Sequence, residues 1–153
     1  MKFFDHAKRS LRLVLALILI GSAAGSLPAT AGTTITIGSG FNAPEGVAVD
    51  ANGNVFVADT YNNAVKQLLP PAYTTVNPIG SASNLPNSVA LDTSGNVWFI
   101  DIQNGVREIL APGYTTVVPS GIGTNGAEGI AVDASGNVFV ADAYNYAIKV
   151  IVK

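Results

Sequence analysis

One stretch of the sequence decides the fold: Pro44-Glu45-Gly46-Val47-Ala48-Val49-Asp50-Ala51-Asn52-Gly53-Asn54-Val55-Phe56-Val57-Ala58-Asp59. It returns, with substitutions, at residues 86–101 and 127–142. Its first aspartate, Asp50, has counterparts at Asp92 and Asp133, so the repeat period is 42 and then 41 residues. A fixed period of this size is typical of solenoids and propellers, in which each repeat is one small structural unit.

Each copy predicts short strands separated by tight turns. Val47-Ala48-Val49 is an apolar run with a small residue in its middle, which suits an inner strand. A turn follows, in which Gly53 can adopt a positive φ, and Val55–Ala58 returns as the second arm of a hairpin. The predicted strands are 47–49, 55–58, 64–68 and 73–76 in the first repeat, 89–91, 97–100, 106–110 and 114–118 in the second, and 130–132, 138–141 and 147–152 in the third.

The third repeat has no fourth strand, whereas a spare strand is predicted near the other end of the chain. Thr33–Ile37 is rich in β-branched residues and can complete the blade that the C-terminus begins. We therefore predict an all-β fold, a β-propeller of four-stranded antiparallel blades at about 40–80, 81–121 and 122–153, with 33–37 as a closing strand. Three blades make half of a six-bladed ring, or an open arc as a monomer. The sequence leaves open whether the chain is complete or a remnant of a longer repeat protein.

The first 31 residues have the pattern of a signal peptide. A basic start precedes an apolar run and a small-x-small cleavage site. These features are Lys2, Lys8, Arg9 and Arg12, then Leu11–Ile20, then Ala29-Thr30-Ala31. Because the apolar run is short for a membrane span, we predict a cleaved signal and a secreted or periplasmic protein with no membrane association afterwards. The alternative is an uncleaved anchor.

Composition excludes several kinds of chemistry. The 153 residues include no cysteine, so disulfides and thiol nucleophiles are excluded. Residues 32–153 carry 9 acidic and 4 basic side chains, and an acidic chain disfavours a nucleic-acid partner. His6, the only histidine, lies in the predicted signal peptide, so the repeats offer no histidine as a catalytic base.

The repeat resembles the NHL repeat. The resemblance is carried by Pro44–Asp50, Gly53–Asp59 and Tyr61–Lys66, and it extends over roughly residues 40–152. It implies a propeller, often six-bladed, but no single activity, because the family includes protein-binding sensor domains, RNA-binding domains and lyases. The RNA-binding members are poor guides to an acidic chain, and a streptogramin-lyase-like role, which relies on histidine, is disfavoured.

Glu45, Asn87 and Glu128 form the candidate metal site. All three come just before the inner strand, so we expect them to point toward one mouth of the central channel. In gluconolactonase-like six-bladed propellers, acidic residues and Asn in similar Pro-x-Gly contexts ligate a divalent cation. Pro44-Glu45-Gly46 and Pro86-Asn87-Ser88 resemble that context, whereas Ala127-Glu128-Gly129 lacks the Pro. Oxygen ligands suit calcium or magnesium, so Ca2+ is the one cofactor that the sequence suggests. The alternative is that this position is merely polar and varies freely.

Aromatic residues recur at two repeat positions. Tyr61 and Tyr144 lie in turns and are candidate binding residues, because exposed tyrosines often anchor interfaces. The alternative for both is partial burial against a neighbouring blade. Phe56, Trp98 and Phe139 share a position on the second strands, and we predict that they pack between blades.

Charged residues also recur, and structural roles are predicted for them. The aspartates that end the second strands are expected to cap their own turns rather than to bind metal; they are Asp59, Asp101 and Asp142. The segment Asp50–Asn54 lacks the Gly and Glu spacing of a calcium loop and is predicted to be a hairpin turn. The cations of the third strands are expected on a solvated face rather than in a basic ridge; they are Lys66, Arg107 and Lys149.

These observations favour a binding module for an unidentified protein or small molecule over an enzyme. The alternative function is a metal-dependent, lactonase-like hydrolase with a cation at the channel mouth. We also predict a homodimer that completes a six-bladed ring, because a lone arc exposes the apolar faces of its first and last blades.

Overall fold

The computed structural model describes residues 32–81, 83–123 and 126–153. The predicted signal peptide, residues 1–31, lies outside the described residues. The blades belong to one compact unit, Ile35–Lys153. No helix within the described ranges is long and apolar enough to cross a membrane.

Within the described residues, the strands form three antiparallel sheets, each a blade in which the strands follow chain order. The first blade contains β1 (Pro44–Val49), β2 (Val55–Asp59), β3 (Ala64–Leu68) and β4 (Val76–Ile79). The second contains β5 (Pro86–Leu91), β6 (Val97–Asp101), β7 (Gly105–Ile109) and β8 (Val117–Pro119). The third contains β9 (Ala127–Val132), β10 (Val138–Asp142) and β11 (Ala147–Ile151). Short 3₁₀ turns, η1 (Thr60–Asn62) and η2 (Ala143–Asn145), follow β2 and β10.

This architecture confirms the predicted all-β, propeller-type fold, and the three blades form an open arc. The first strands of the blades lie side by side, with β5 between β1 and β9. The second strands β2 and β6 are buried along their whole length, because blades or loops cover both of their faces. That double burial explains why these strands are continuous apolar runs rather than alternating ones.

Large side chains of the second strands fill the space between neighbouring blades. Phe56 is fully buried in one cluster with Phe99 of the second blade, and Trp98 is buried in another with Val140 of the third. The predicted packing between blades is therefore confirmed for Phe56 and Trp98. Phe139, at the same repeat position, is 37% exposed, because no blade within the described chain covers that face.

The fourth strands differ from the prediction in position. β4 and β8 begin three residues later than the β propensity of the sequence predicts. The cause is the backbone of Tyr73 and Tyr114, whose φ angles are 54° and 53°. Their N–H groups donate to the carbonyl oxygens of Leu69 and Leu110 at 3.1 and 3.0 Å, so the chain is still turning at these tyrosines.

The predicted strand at Thr33–Ile37 is not a strand within the described chain. Residues 32–40 have no regular secondary structure. A strand needs a neighbouring edge for its backbone hydrogen bonds, and β3, the third strand of the first blade, is already paired on both sides. The role of this segment as a closing strand therefore stays a prediction.

Candidate functional site

One end of the blades carries all the candidate site residues. In each blade the first residue of the first strand pairs with the last residue of the second; the pairs are Pro44 with Asp59, Pro86 with Asp101, and Ala127 with Asp142. The starts of the first strands therefore share this end with the turns that follow the second strands. We call it the upper face, and it comprises positions 45, 87 and 128 and the turns 60–63, 102–104 and 143–146.

The three candidate metal ligands lie on β-bulges of this face. The strand pairing skips Glu45 in β1, Asn87 in β5 and Glu128 in β9. The prediction that they come just before the inner strand is wrong, because each strand already includes its bulged residue. A bulge leaves its extra residue unpaired and re-aims the side chain, a feature that is frequent beside active sites. The register depends on the partner strand, so the sequence alone did not indicate the bulges.

The bulges of neighbouring blades approach each other closely. A Cβ on Gly46 would lie 3.0 Å from the carbonyl oxygen of Asn87, so only a glycine fits here. From the other side, Asn87 Nδ2 donates a hydrogen bond to the carbonyl oxygen of Ala127 at 3.1 Å. Asn87 therefore lies between the residue that follows Glu45 and the residue that precedes Glu128.

Asn87 also carries an unpaired acceptor. Its Oδ1 is buried and has no hydrogen-bond partner among the described residues. A buried acceptor without a partner costs about 1–3 kcal/mol, so a ligand, a water or an ion is expected to meet it. Glu45 and Glu128 are exposed on the flanking blades, and oxygen is the donor type that calcium and magnesium prefer. Since no group of three or more His, Cys, Asp or Glu side chains in the described ranges could hold a metal, a cation here would depend on the Asn87 oxygen.

The aspartate that ends each second strand holds the turns and loops of the upper face together. Asp59 is fully buried and accepts hydrogen bonds from Nδ2 of Asn62 and from the backbone N–H of Asn42, each at 2.7 Å. Lys66 Nζ lies 2.5 Å from its Oδ2. Burial acts to raise the pKa of Asp59, but the hydrogen bonds from Lys66, Asn62 and Asn42 together hold that pKa below its ordinary value. The prediction that these aspartates cap their own turns through backbone N–H groups is wrong for Asp59, whose carboxylate makes no such bond to η1. It is confirmed for Asp101, which accepts the backbone N–H groups of Gln103 and Asn104.

The other two blades repeat this arrangement with partners at the same repeat positions. Those partners are Asn104 and Arg107 at Asp101, and Asn145 and Lys149 at Asp142. The expectation of a solvated face of cations is wrong for Lys66 and Arg107, whose side chains are only 15% and 16% exposed. Because these carboxylates are occupied by structural partners, they are poorly suited to bind a metal or transfer a proton.

The aspartates at the opposite end of the blades accept hydrogen bonds from the backbone of their own hairpin turns. Asp50 Oδ1 accepts the backbone N–H groups of Asn52 and Asn54 at 2.9 and 2.8 Å. Asp92 and Asp133 make the same bonds in their own turns. The prediction of hairpin turns rather than calcium loops is confirmed, since these carboxylates are directed at their own turns.

The turns of the upper face expose tyrosines. Tyr61 in η1 is 63% exposed and Tyr144 in η2 is 69% exposed, so neither ring is held between blades. Sequence reasoning missed Tyr146, which is 97% exposed and has a φ of 53°, a region that bulky residues rarely adopt. A signal for it existed, because the same repeat position holds Asn63 and Gly105, two residue types that tolerate positive φ.

Comparisons with known proteins agree with this architecture. The model of the NHL repeat family matches residues 41–68 and 124–151, which lie in the first and third blades. A search of curated proteins gave no match.

Solved structures share the fold at low identity. A streptogramin B lyase has a TM-score of 0.58 at 18% identity, covering 71% of this chain and 37% of that one. The structure of a nidogen/laminin complex has a TM-score of 0.57 at 19% identity, and the match covers 70% of this chain and 42% of that one. A structure solved as a candidate gluconolactonase has a TM-score of 0.54 at 19% identity, and the match covers 67% of this chain and 42% of that one. The chain thus spans 37–42% of the length of these neighbours, and at such identities the likeness shows the fold alone. The chain therefore carries NHL repeats at residues 41–68 and 124–151, and its blades have a propeller-type fold.

Proposed function

We propose that the chain is a binding module that recognises a protein or a small-molecule ligand with its upper face. The observation that supports this most strongly is the exposure of Tyr61 and Tyr144 at equivalent turns of the first and third blades. Tyrosine offers a large contact area at low entropic cost and is enriched among the residues that dominate binding energy. Tyr146 adds a further exposed ring beside Tyr144.

The charged groups of the blades support binding more than catalysis. Asp59, Asp101 and Asp142 are paired with cations of the third strands, and the hairpin aspartates accept bonds from their own turns. Residues 32–153 contain no histidine or cysteine, so the usual nucleophile–base pairs have no members here. Loops carried on a rigid scaffold, by contrast, are where proteins place recognition residues.

The double variant Tyr61→Ser with Tyr144→Ser tests the proposal. Photo-crosslinking of the wild-type chain in its native medium should capture a partner, and the double variant should bind that partner about tenfold or more weakly, as is usual for hot-spot residues. The matched control, Thr93→Ser with Thr115→Ser, changes two exposed residues at the opposite end of the blades and should bind like the wild type. Equal capture by wild type and double variant, or no capture by either, would contradict the proposal.

One observation favours a second function, a metal-dependent and lactonase-like hydrolase. The buried, unpartnered Oδ1 of Asn87 lies between the blades that carry Glu45 and Glu128. These three residues would hold a divalent cation, and their oxygen donors fit calcium or magnesium. When bound, such a cation supplies Lewis-acid polarisation of a substrate carbonyl. The chain's part is to present the three oxygen ligands on bulges and to leave the mouth of the channel open to a substrate.

Calcium chloride alone is the first probe of this second function. Millimolar calcium should raise the melting temperature of the wild type by mass action, and Glu45→Gln with Glu128→Gln should abolish the rise. Glu108→Gln, a carboxylate paired with Lys153, is the matched control and should keep the rise. Hydrolysis of a gluconolactone probe should then require calcium. If calcium leaves the wild-type melting temperature unchanged, both the metal site and the hydrolase are excluded.

A further inference from the structure

Within the described residues, the last strand of the third blade has an uncovered edge. β3 and β7 are covered by the fourth strands β4 and β8, whereas β11 is the outermost strand of its sheet within the described chain. Ile148 and Val150 of β11 are 70% and 44% exposed. Its one charged residue, Lys149, lies 2.5 Å from Asp142 and is committed to that carboxylate. The edge therefore lacks the free charges with which proteins usually keep strand edges from pairing.

The segment 35–38 packs against the first blade in the same way that the end of β4 packs against the second blade. Gly38 and Gly80 share one repeat position and have φ angles of 65° and 63°. A Cβ on Gly38 would lie 2.7 Å from Leu68 Cδ2, and one on Gly80 would lie 2.9 Å from Ile109 Cδ1. Leu68 and Ile109 are themselves equivalent residues of β3 and β7. The segment thus occupies the place of the fourth strand of a blade that would precede β1.

The outer faces of the first and third blades correspond to the two sides of the contact between neighbouring blades, a contact that the chain makes twice within itself. On the first blade, Val55, Val57 and Leu68 help to line an apolar cleft of about 340 Å³. The equivalent residues of the second blade are buried in one cluster with Phe56. On the third blade, Phe139 occupies the repeat position of Phe56 and is partly exposed.

We propose that a second copy of this chain covers both surfaces, with Ile35–Ile37 of each copy added as a fourth strand to β11 of the other. The chain supplies both a spare strand and a spare edge, and each matches a pairing that its own blades already make. β5 lies between β1 and β9, so the two surfaces belong to blades that are not neighbours, and a contact between copies brings the two surfaces together. Strand addition contributes backbone hydrogen bonds, and the blade faces contribute buried apolar area.

The internal pairing gives the register of this contact. In the first blade, Val65 pairs with Ile79 and Lys66 with Pro78. The corresponding pairs across the interface are Ile148 with the partner's Ile37, Lys149 with the partner's Thr36, and Val150 with the partner's Ile35. Two such contacts close a six-bladed ring with two-fold symmetry. The ring would place two sets of bulge residues around one channel, so the upper face would be completed by the second copy.

Cysteine placement tests the register directly, because the sequence has no cysteine of its own. Residues directly opposite in paired strands have Cα atoms about 4.5–5.5 Å apart, which is within disulfide range. Ile35→Cys protein mixed with Val150→Cys protein should therefore form a covalent pair of chains under mild oxidation. The matched control, Thr36→Cys mixed with Val150→Cys, directs the thiols to opposite sheet faces and should form about tenfold less.

Light scattering gives the second readout. The wild type should have twice the mass of the single chain. Val150→Lys should be a monomer with the circular dichroism of a folded β protein, and Thr93→Lys, in an exposed hairpin turn, should remain a dimer. A wild-type monomer would overturn the proposal and would indicate that further blades or another protein cover these faces. Equal cross-linking in the two cysteine mixtures, or a dimeric Val150→Lys, would overturn it as well.

Discussion

Asp59 is the residue on which three separate segments of the first blade converge. Its carboxylate accepts bonds from Asn42 in the preceding loop, from Asn62 in η1 and from Lys66 in β3. Lys66 Nζ also donates to the carbonyl oxygen of Gly40 at 2.8 Å, so the same cation holds the loop from a second point. Each repeat devotes an aspartate, an asparagine and a cation to this arrangement. We infer that the arrangement fixes the loops that carry the upper face.

Removing one member of this group should cost more than removing two. Asp59→Ala leaves Lys66 as a largely buried cation without its carboxylate, and we expect a loss of about 3 kcal/mol in the free energy of unfolding, measured with urea. The double variant Asp59→Ala with Lys66→Met removes both charges and should be less destabilised than the single variant. A single variant as stable as the wild type would show that the pair contributes nothing.

Acid should destabilise the blades, because Asp59, Asp92, Asp133 and Asp142 have lowered pKa values. At Asp59 and Asp92 the largest single effect on the pKa is burial, which raises it, but the hydrogen bonds together outweigh burial. At Asp142 the largest effect on the pKa is the hydrogen bond from Lys149, which lowers it. A carboxyl with a lower pKa in the folded chain binds fewer protons there than in the unfolded chain. Its contribution to stability is full above the unfolded pKa of about 3.9 and is lost as the pH falls through the folded pKa.

Urea unfolding at a series of pH values measures this effect. The midpoint should be constant from neutral pH down to about pH 5 and should fall below about pH 4. Asp92→Asn should lower the midpoint at neutral pH and make the acid dependence shallower. A wild-type midpoint that stays constant, or rises, in acid would contradict the assignment of these carboxylates as stabilising acceptors.

At the scale of strands and turns, the sequence predicted those features that depend on neighbouring residues. The hairpin Asp50–Asn54 and the cap at Asp101 follow from short-range bonding, and the structure confirms both. The bulges at Glu45, Asn87 and Glu128 depend on strand register, and the burial of Lys66 depends on a loop more than twenty residues away. Such contacts do not appear in the local sequence pattern, which is why neither the bulges nor the burial of Lys66 could be predicted from the sequence.

The segment 1–31 is predicted to be removed on export, because a basic start, a short apolar run and Ala29-Thr30-Ala31 form a signal-peptide pattern. N-terminal sequencing of the protein recovered from its native host should begin at Gly32. A bulky residue disfavours cleavage at the small-residue site, so Ala31→Leu should yield the longer chain, whereas Ser26→Thr should be processed normally. An intact Met1 on the wild-type protein would contradict the prediction and favour the uncleaved anchor.

For the assembled molecule, closing the ring between two copies should make stability depend on protein concentration. Unfolding of a two-copy ring also separates the copies, so a tenfold rise in concentration should add about 1.4 kcal/mol to the apparent stability by mass action. A single-chain arc that unfolds alone should show no such dependence. Deleting residues 32–37 removes the added strand, and Val150→Lys puts a charge at the partner's Ile35; both changes should abolish the concentration dependence. Replacing Thr93 with Ser, in an exposed hairpin turn of the second blade, should preserve it. Thermal unfolding of the wild type over a hundredfold range of protein concentration tests this prediction. A midpoint that does not change with concentration would show that the first blade of one copy does not bind the third blade of another.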